Sequence, residues 1–352
     1  MGKKFKILSI DGGGIRGIFP SQYIASLEQR LGEIDGQSNR ICDHFDLICG
    51  TSTGGILALG LAFGIPASEL KDLYIKNRKS IFGWPNNKVL RRKYPRKNLE
   101  NLIREKFKSA MKNEIDHEPL LLDAKTRLCI TGYDIENAQP KVYKTPHKED
   151  YKFDLYRPAY QVALATGAAP TFFSPFKGEY EMFNTDEKVN FPLTVDGGVF
   201  ANNPTLIAIM EAHKGLGIDL ADIEVVSIGT GSETYRESDT KTVFKIPIPR
   251  LWGPFYWMYK TRILNLMFQA QSQHIDDMCK IFAKGTGESE ESLFPYHRIQ
   301  TTLDHNLKIA MDSTDLRKLT ALTNRAVKEF QVTGNTIEQL IINNERWGGF
   351  PS

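Results

Sequence analysis

Cysteine is scarce in this chain, with four residues in 352: Cys42, Cys49, Cys129 and Cys279. None of them form a C-x-x-C pair, so neither a disulfide framework nor a thiolate zinc site is indicated. Cys49 and Cys129 lie in apolar, strand-like runs where buried free thiols are common. H-E-x-x-H, Walker A and EF-hand patterns are also lacking, and the reading is of a protein with no metal and no cofactor. No apolar stretch approaches the ~20 residues needed to cross a bilayer. The opening Met1-Gly2-Lys3-Lys4-Phe5-Lys6 enters a strand-like segment at once, which predicts no leader peptide, and Lys6 stands where a myristoylation signal wants Ser or Thr. Neither sign of charge dominates: 45 Lys and Arg face 42 Asp and Glu, a net of +3, which argues against binding to a nucleic-acid polymer. Internal repeats and Gly/Ser-rich linkers are absent. Hydrophobic content of 41% and charged content of 25% are those of an ordinary globular protein.

What is present begins with Gly50-Thr51-Ser52-Thr53-Gly54, a G-x-S-x-G segment between the apolar run Phe45–Cys49 and the small apolar residues Ile56–Leu59. A buried strand followed by a tightly packed helix is the expected setting, with a serine exposed on the sharp turn between them. Gly50 and Gly54 leave room where a side chain would strike a neighbouring element. On its own the segment is equally an ordinary strand-to-helix turn with Ser or Thr as the N-cap.

Asp11-Gly12-Gly13-Gly14-Ile15-Arg16-Gly17 follows the strand-like Phe5–Ile10 and precedes Ile18, Ile24, Leu27 and Leu31 at helical spacing. Successive glycines leave backbone N–H groups open to an anion. In an acyl-transfer enzyme that anion is the tetrahedral oxygen, and Gly12, Gly13 and Gly14 would form the oxyanion hole, with Arg16 bracing the loop or adding positive charge. The same residues satisfy G-x-G-x-x-G, with Glu33 and Asp35 near the distance expected for a ribose contact, so a dinucleotide-binding reading stands beside the first.

Val195-Asp196-Gly197-Gly198 closes another apolar run and leads into Asn202-Asn203-Pro204, a good helix start. Asp196 could accept the Ser52 proton or orient the group that does; the alternative is a plain Asp-Gly turn. A Ser–Asp–His triad would need His213, His274, His297 or His305, and none has a local context that singles it out.

Taken together, the three turns resemble the patatin-like phospholipases, which join a D-G-G-G-x-R-G loop, a G-x-S-x-G elbow and a late D-G-G aspartate. The resemblance runs from Lys6 to about Gly231 and includes Ala165-Thr166-Gly167-Ala168-Ala169-Pro170. It implies a lipid acyl hydrolase of phospholipase A type working through a Ser52–Asp196 dyad, with Gly12, Gly13 and Gly14 as oxyanion loop. It also implies an α/β fold, a three-layer sandwich with a mostly parallel central sheet flanked by helices. Val142-Tyr143-Lys144-Thr145-Pro146-His147 on a compact scaffold is similar to the bacterial members that serve anti-phage signalling. That likeness implies a cyclic di- or trinucleotide activator and a phospholipid membrane surface as partner; joining of protomers into a homo-oligomer is one way such a ligand could uncover the serine. The expected setting is cytoplasmic, with peripheral membrane contact in the active state. A catalytically weak binding module and a nucleotide-dependent oxidoreductase are the competing classes.

The chain alternates strands and helices: helical patterns at 67–82, 98–111 and 158–165, strand patterns at 127–135 and 141–144, and further strands ending at Asp196 and near Ile228. Residues 1–231 are expected to form the catalytic core and 232–352 a helical extension packed on it as lid or regulatory region. Two segments stand apart. Residues 88–97 hold Lys88, Arg91, Arg92, Lys93, Arg96 and Lys97, a candidate contact for an anionic regulator or lipid headgroups and otherwise a solvated loop. Trp252, Phe255, Tyr256, Trp257 and Tyr259, followed by Ile263, Leu264, Met267, Phe268, Ile275, Met278 and Phe282 at helical spacing, suit a lid or interfacial anchor as well as a helix closing the core.

Overall fold

A computed structural model describes residues 2–35, 40–83, 94–182, 187–234, 242–243, 246–247, 262–284, 292–304 and 307–348. Its centre is a nine-stranded sheet. The strands are β1 (Lys3–Ile10), β2 (Leu47–Gly50), β3 (Arg127–Asp134), β4 (Gln139–Lys144), β5 (Phe176–Glu181), β6 (Lys188–Asp196), β7 (Ile223–Ile228), β8 (Tyr296–Ile299) and the two-residue β9 (Glu345–Arg346). Their order is 8-7-1-2-3-6-5, with β4 also on β3 and β9 on the first residues of β1. The run from β8 to β3 is parallel, whereas β4, β5 and β6 pair antiparallel.

The central strands are apolar along their length because both faces are covered. Phe5–Ile10, Leu47–Gly50 and Ile223–Ile228 are buried throughout. Alternation sorts their side chains between two cores: Ile7, Leu47, Cys129 and Val225 face one way, and Leu8, Ile48, Leu128 and Val226 the other. Against the second face lie α1 (Ile18–Asp35), α2 (Thr53–Ala62), α3 (Ala67–Phe82), α4 (Lys97–Met111), α5 (Ala159–Thr166) and α8 (Leu316–Asn343); α6 (Thr205–Met210) covers the first face. A further long helix, α7 (Arg262–Lys284), belongs to both layers: Phe268 joins the core of the second face and Cys279 and Ala283 that of the first.

Sequence pattern explains the roles of these helices. All ten residues of α2 are buried, as a helix apolar on every side requires, whereas α4 buries only Leu99, Ile103, Phe107 and Met111, one stripe four residues apart. α8 lies along α1, where Tyr23 meets Phe330 edge-on at 5.3 Å and its hydroxyl bonds Thr333 Oγ1. Among the described residues no helix is long and apolar enough to cross a membrane.

β6 runs antiparallel to β3, so Asp196 comes back toward the carboxyl ends of β1 and β2 from beyond them. On α7 the buried stripe is Phe268, Ser272, Asp276, Cys279 and Ala283; Ile263, Met267 and Met278 are exposed.

Candidate active site

The elbow after β2 is strained at Ser52. Ser52 has φ 56° and ψ −124°, a left-handed backbone unusual for a side chain other than glycine and worth ~1–3 kcal/mol of strain. The surroundings hold it there. A Cβ on Gly50 would enter the carbonyl of Gly54, and one on Gly54 would enter the carbonyl of Ile10. The Ser52 N–H donates to Thr166 Oγ1 at the end of α5 (2.8 Å). Thr51 Oγ1 donates to the Ala201 carbonyl and accepts from Thr131 Oγ1.

This geometry carries Ser52 Oγ to 2.5 Å from Asp196 Oδ2, in the range of a charge-assisted O–H···O⁻ bond. The other carboxylate oxygen accepts from the Gly198 N–H at 2.7 Å, and Gly197 is what allows the chain to fold back there, since its Cβ would enter Thr131. Ser52 is 7% exposed and Asp196 0%. Burial pushes the Asp196 carboxyl up to about 7, against the opposing pull of the Ser52 and Gly198 hydrogen bonds. A carboxylate tuned to that range is suited to take and return a proton near neutral pH.

The glycine loop crosses in front of this pair. Gly12 lies against Ser52 and Asn202, and a Cβ there would run into Asn202 Oδ1. Its N–H, however, donates to the Asn202 carbonyl at 3.0 Å, which corrects the reading of Gly12 as an oxyanion donor. Among the described residues nothing accepts from the N–H groups of Gly13 or Gly14, and Gly14 lines the same pocket as Ser52. Arg16 proves to be a brace: its Nε donates to the Ile309 carbonyl at 2.7 Å, and its Nη2 pairs with Glu233. Ile15 N–H donates to the Met311 carbonyl at 2.7 Å, and Thr230 Oγ1 donates to the Gly12 carbonyl at 2.7 Å.

Sequence inspection missed Arg298 of β8. It holds Asp11, the residue before the glycines, through two parallel bonds of 2.8 and 2.5 Å. Burial pushes the Asp11 carboxyl up and Arg298 only partly opposes this; burial works equally against the Arg298 charge, but Asp11 outweighs it.

Two pockets flank the loop. The first, about 520 Å³, is walled by Ser52, Gly14 and apolar side chains that include Ile56, Phe82, Leu99 and Phe172. Phe82, Tyr94, Phe172 and Phe173 pack ring against ring around it, and the Tyr94 hydroxyl is tied to Asp312. The second, about 510 Å³, is polar and lies among Gly12, Gly13, Arg16, Arg298, Ser272 and Asp276; its charges are paired with one another or with near neighbours. Phe268 and Met311 belong to both.

Residues 8–209 match the model of the patatin-like phospholipase family. The chain belongs to that family. This patatin-like phospholipase, a lipid-hydrolysing esterase by family, is 30% identical over 343 residues to the "cGAMP-activated phospholipase" of Vibrio cholerae, across 92% of this chain and 91% of the relative. It is 34% identical over 314 residues to "Patatin-like protein 2" of Oryza sativa subsp. indica, across 78% and 72% of the two chains. Among solved structures, VipD from Legionella pneumophila superposes with a TM-score of 0.41 at 12% identity, covering 94% of this chain and 67% of VipD.

The remaining candidate residues of this patatin-like phospholipase fall as follows. His213 Nδ1 is bonded to the Ile218 carbonyl at 2.8 Å, His274 is exposed on α7, and His297 lies on β8; none of the three bonds Ser52 or Asp196. Arg96 is half-buried, donating to the Ser174 and Pro175 carbonyls and lying over the Phe176 ring. Lys97 opens α4 and is exposed. Lys88, Arg91, Arg92, Lys93 and the Trp252–Tyr259 cluster lie outside the described residues.

Proposed function

We propose that this protein cleaves the acyl esters of glycerophospholipids as a phospholipase A, with Ser52 as nucleophile and Asp196 as the only base. The supporting observation is the 2.5 Å bond between Ser52 Oγ and Asp196 Oδ2, buried beside an apolar pocket. The acyl chain enters that pocket. Asp196 takes the hydroxyl proton as Ser52 Oγ attacks the ester carbonyl. The oxygen of the tetrahedral intermediate accepts from the N–H groups of Gly13 and Gly14. Collapse expels the lysophospholipid alkoxide, which receives the proton from Asp196 and leaves an acyl ester on Ser52. A water then gives its proton to Asp196 and attacks that ester; the fatty acid leaves and the proton returns to Ser52.

Residues 1–231 are the catalytic core in this reading, and the described parts of 232–352 belong with it to one structural unit. Support comes from β8, a strand of the central sheet, and from α8, which lies along α1. Peripheral contact with a phospholipid surface is assigned to the first turns of α7, where Ile263, Leu266 and Met267 are exposed beside pocket-lining Phe268. Activation by a cyclic nucleotide is part of this reading, supported by relatives in Vibrio cholerae, Escherichia coli and Pseudomonas aeruginosa, each described as a cGAMP-activated phospholipase.

The deciding experiment measures fatty-acid release from phospholipid vesicles with and without a panel of cyclic di- and trinucleotides, alongside fluorophosphonate labelling. Loss of both labelling and release in Ser52→Ala, with an unchanged melting temperature, is the expected result. Wild-type turnover by folded Ser52→Ala, or by Asp196→Asn, would overturn the dyad. Equal, high release with and without every nucleotide would remove the activator.

A further inference from the structure

We infer that Arg298 is a positioning residue for the hydrolysis, fixing the peptide planes of Gly13 and Gly14 through its bidentate grip on Asp11; the inference rests on the dyad and oxyanion reading above. Arg298 lies on β8, two strands from β1 in the sheet. In the strand register Ser9, Ser227 and Arg298 stand in one row across β1, β7 and β8. From that row the guanidinium reaches past β7, with Nη1 donating to Ser227 Oγ (2.7 Å) and Asp11 Oδ1 (2.8 Å) and Nη2 to Asp11 Oδ2 (2.5 Å). Thr205 Oγ1 bonds both Ser227 and Ser9, so the row itself is tied from the α6 side. A planar fork on a planar carboxylate fixes orientation as well as distance, which a lysine ammonium cannot do.

Stability does not explain this pair. Both side chains are almost wholly withdrawn from water, at 6% and 2% exposure, and desolvating two charges generally costs about as much as their attraction returns. What the pair does supply is aim. Asp11 is the last residue before the glycines, and its own N–H is bonded to the Ile228 carbonyl. With that N–H and the side chain both fixed, the direction in which the chain enters Gly12-Gly13-Gly14 is determined. The loop's other ties, at Thr230, Asn202, Ile309, Met311 and Glu233, hold residues 12, 15 and 16. The Arg298 grip takes both carboxylate oxygens of the side chain at the entry to the loop, with Ser272 as a further hydrogen-bond partner.

Arg298 lines the polar pocket and is not a wall of the apolar one. Its loss therefore alters transition-state stabilisation and leaves acyl binding largely alone. Complete loss of one oxyanion donor costs about 10²–10³ in kcat; with the other ties intact, misaimed donors are expected to cost roughly 10- to 100-fold.

The test compares Arg298→Lys, Asp11→Asn and the double variant Asp11→Leu/Arg298→Met with wild type and Ser52→Ala, on a short soluble ester. Fluorophosphonate titration counts competent sites, and thermal denaturation reports folding. Arg298→Lys should lower kcat per competent site roughly 10- to 100-fold with KM within about twofold, and should slow labelling in parallel, since the probe's phosphoryl oxygen uses the same donors. The apolar double variant should melt at or above the wild-type temperature while kcat stays low. Wild-type kcat in folded Arg298→Lys, or kcat losses that follow melting temperature across the series, would overturn the inference. If the double variant does not fold, Arg298→Lys and Asp11→Asn decide alone. An inert Ser52→Ala with unaffected Arg298→Lys refutes the positioning role only, whereas an active Ser52→Ala refutes the underlying reading as well.

Discussion

Asp196 should move turnover and stability in opposite directions as the pH rises. Its carboxyl is fully buried and pushed up to about 7, whereas in the unfolded chain it returns to about 3.9. As a base it works only when ionised. With a midpoint near 7, about 1% of the enzyme is competent at pH 5 and about 90% at pH 8, so kcat/KM climbs close to tenfold per unit below pH 6. The folding linkage has the other sign. Between pH 4 and 7 the native state holds a proton that the unfolded chain has released, so stability present below pH 4 is lost as the pH rises through 7. Three units at 1.36 kcal/mol each put the loss from this group on the order of 4 kcal/mol. The assay is release of fatty acid from a short-chain soluble phospholipid, quantified by mass spectrometry at half-unit steps from pH 4.5 to 8.5, with urea denaturation at the same values. Asp196→Asn supplies the control: it should be inactive throughout and should lose the part of the pH dependence of folding that belongs to this group. A kcat/KM profile flat between pH 5 and 8, or an Asp196→Asn variant whose stability changes with pH just as in wild type, would refute the reasoning.

The other expectations can be read from single variants. Gly14→Ala places a Cβ against the Met311 carbonyl at φ +59°, so kcat should fall about 10²–10³ with a smaller change in KM; steady-state kinetics on a soluble ester checks it. Thr166→Val leaves the buried Ser52 N–H without its acceptor and should cost about 1–3 kcal/mol by denaturant titration, with a right-sized side chain excluding a cavity effect. Leu99→Trp fills part of the apolar pocket and should shift preference toward shorter acyl chains in a chain-length series, leaving the rate on acetate esters near wild type.

How much of this was readable in advance follows from the range of each interaction. Ser52, Gly50 and Gly54 announce themselves because strand, turn and helix are consecutive, and the reason for each glycine lies within reach of the same turn or the adjoining β1. Asp196 and the glycine loop are local patterns of the same kind. Gly12 could not be told from Gly13 and Gly14, since the acceptor that occupies its N–H belongs to Asn202, 190 residues away. Arg298 gave no signal at all: it is one basic residue in Tyr-His-Arg-Ile, and its meaning comes from a carboxylate 287 residues distant. Apolar periodicity on α7 suited a lid or anchor as well as a helix closing the core, and could not tell which face is buried, because the helix packs on a polar seam, with Ser272 accepting from Asn202 and Asp276 from Tyr296. The antiparallel course of β6 likewise depends on its pairing with β5 and β3, which no periodicity within residues 188–196 encodes.

Of the residues that fasten the glycine loop, Thr230, Glu233, Arg298, Ile309 and Met311 lie beyond residue 209, where the family match stops. On the ribosome this has a timing consequence. Ser52 and Asp196 emerge at least 102 residues before Arg298, an interval of about 5–20 s at ordinary elongation rates. In the reading proposed above, the nascent chain then holds its nucleophile, its base and the Asn202 and Thr230 ties of the loop, but lacks the grip on Asp11. On that reading full competence arrives late in synthesis, once the strand carrying Arg298 and the Ile309 and Met311 carbonyls that follow it have been made.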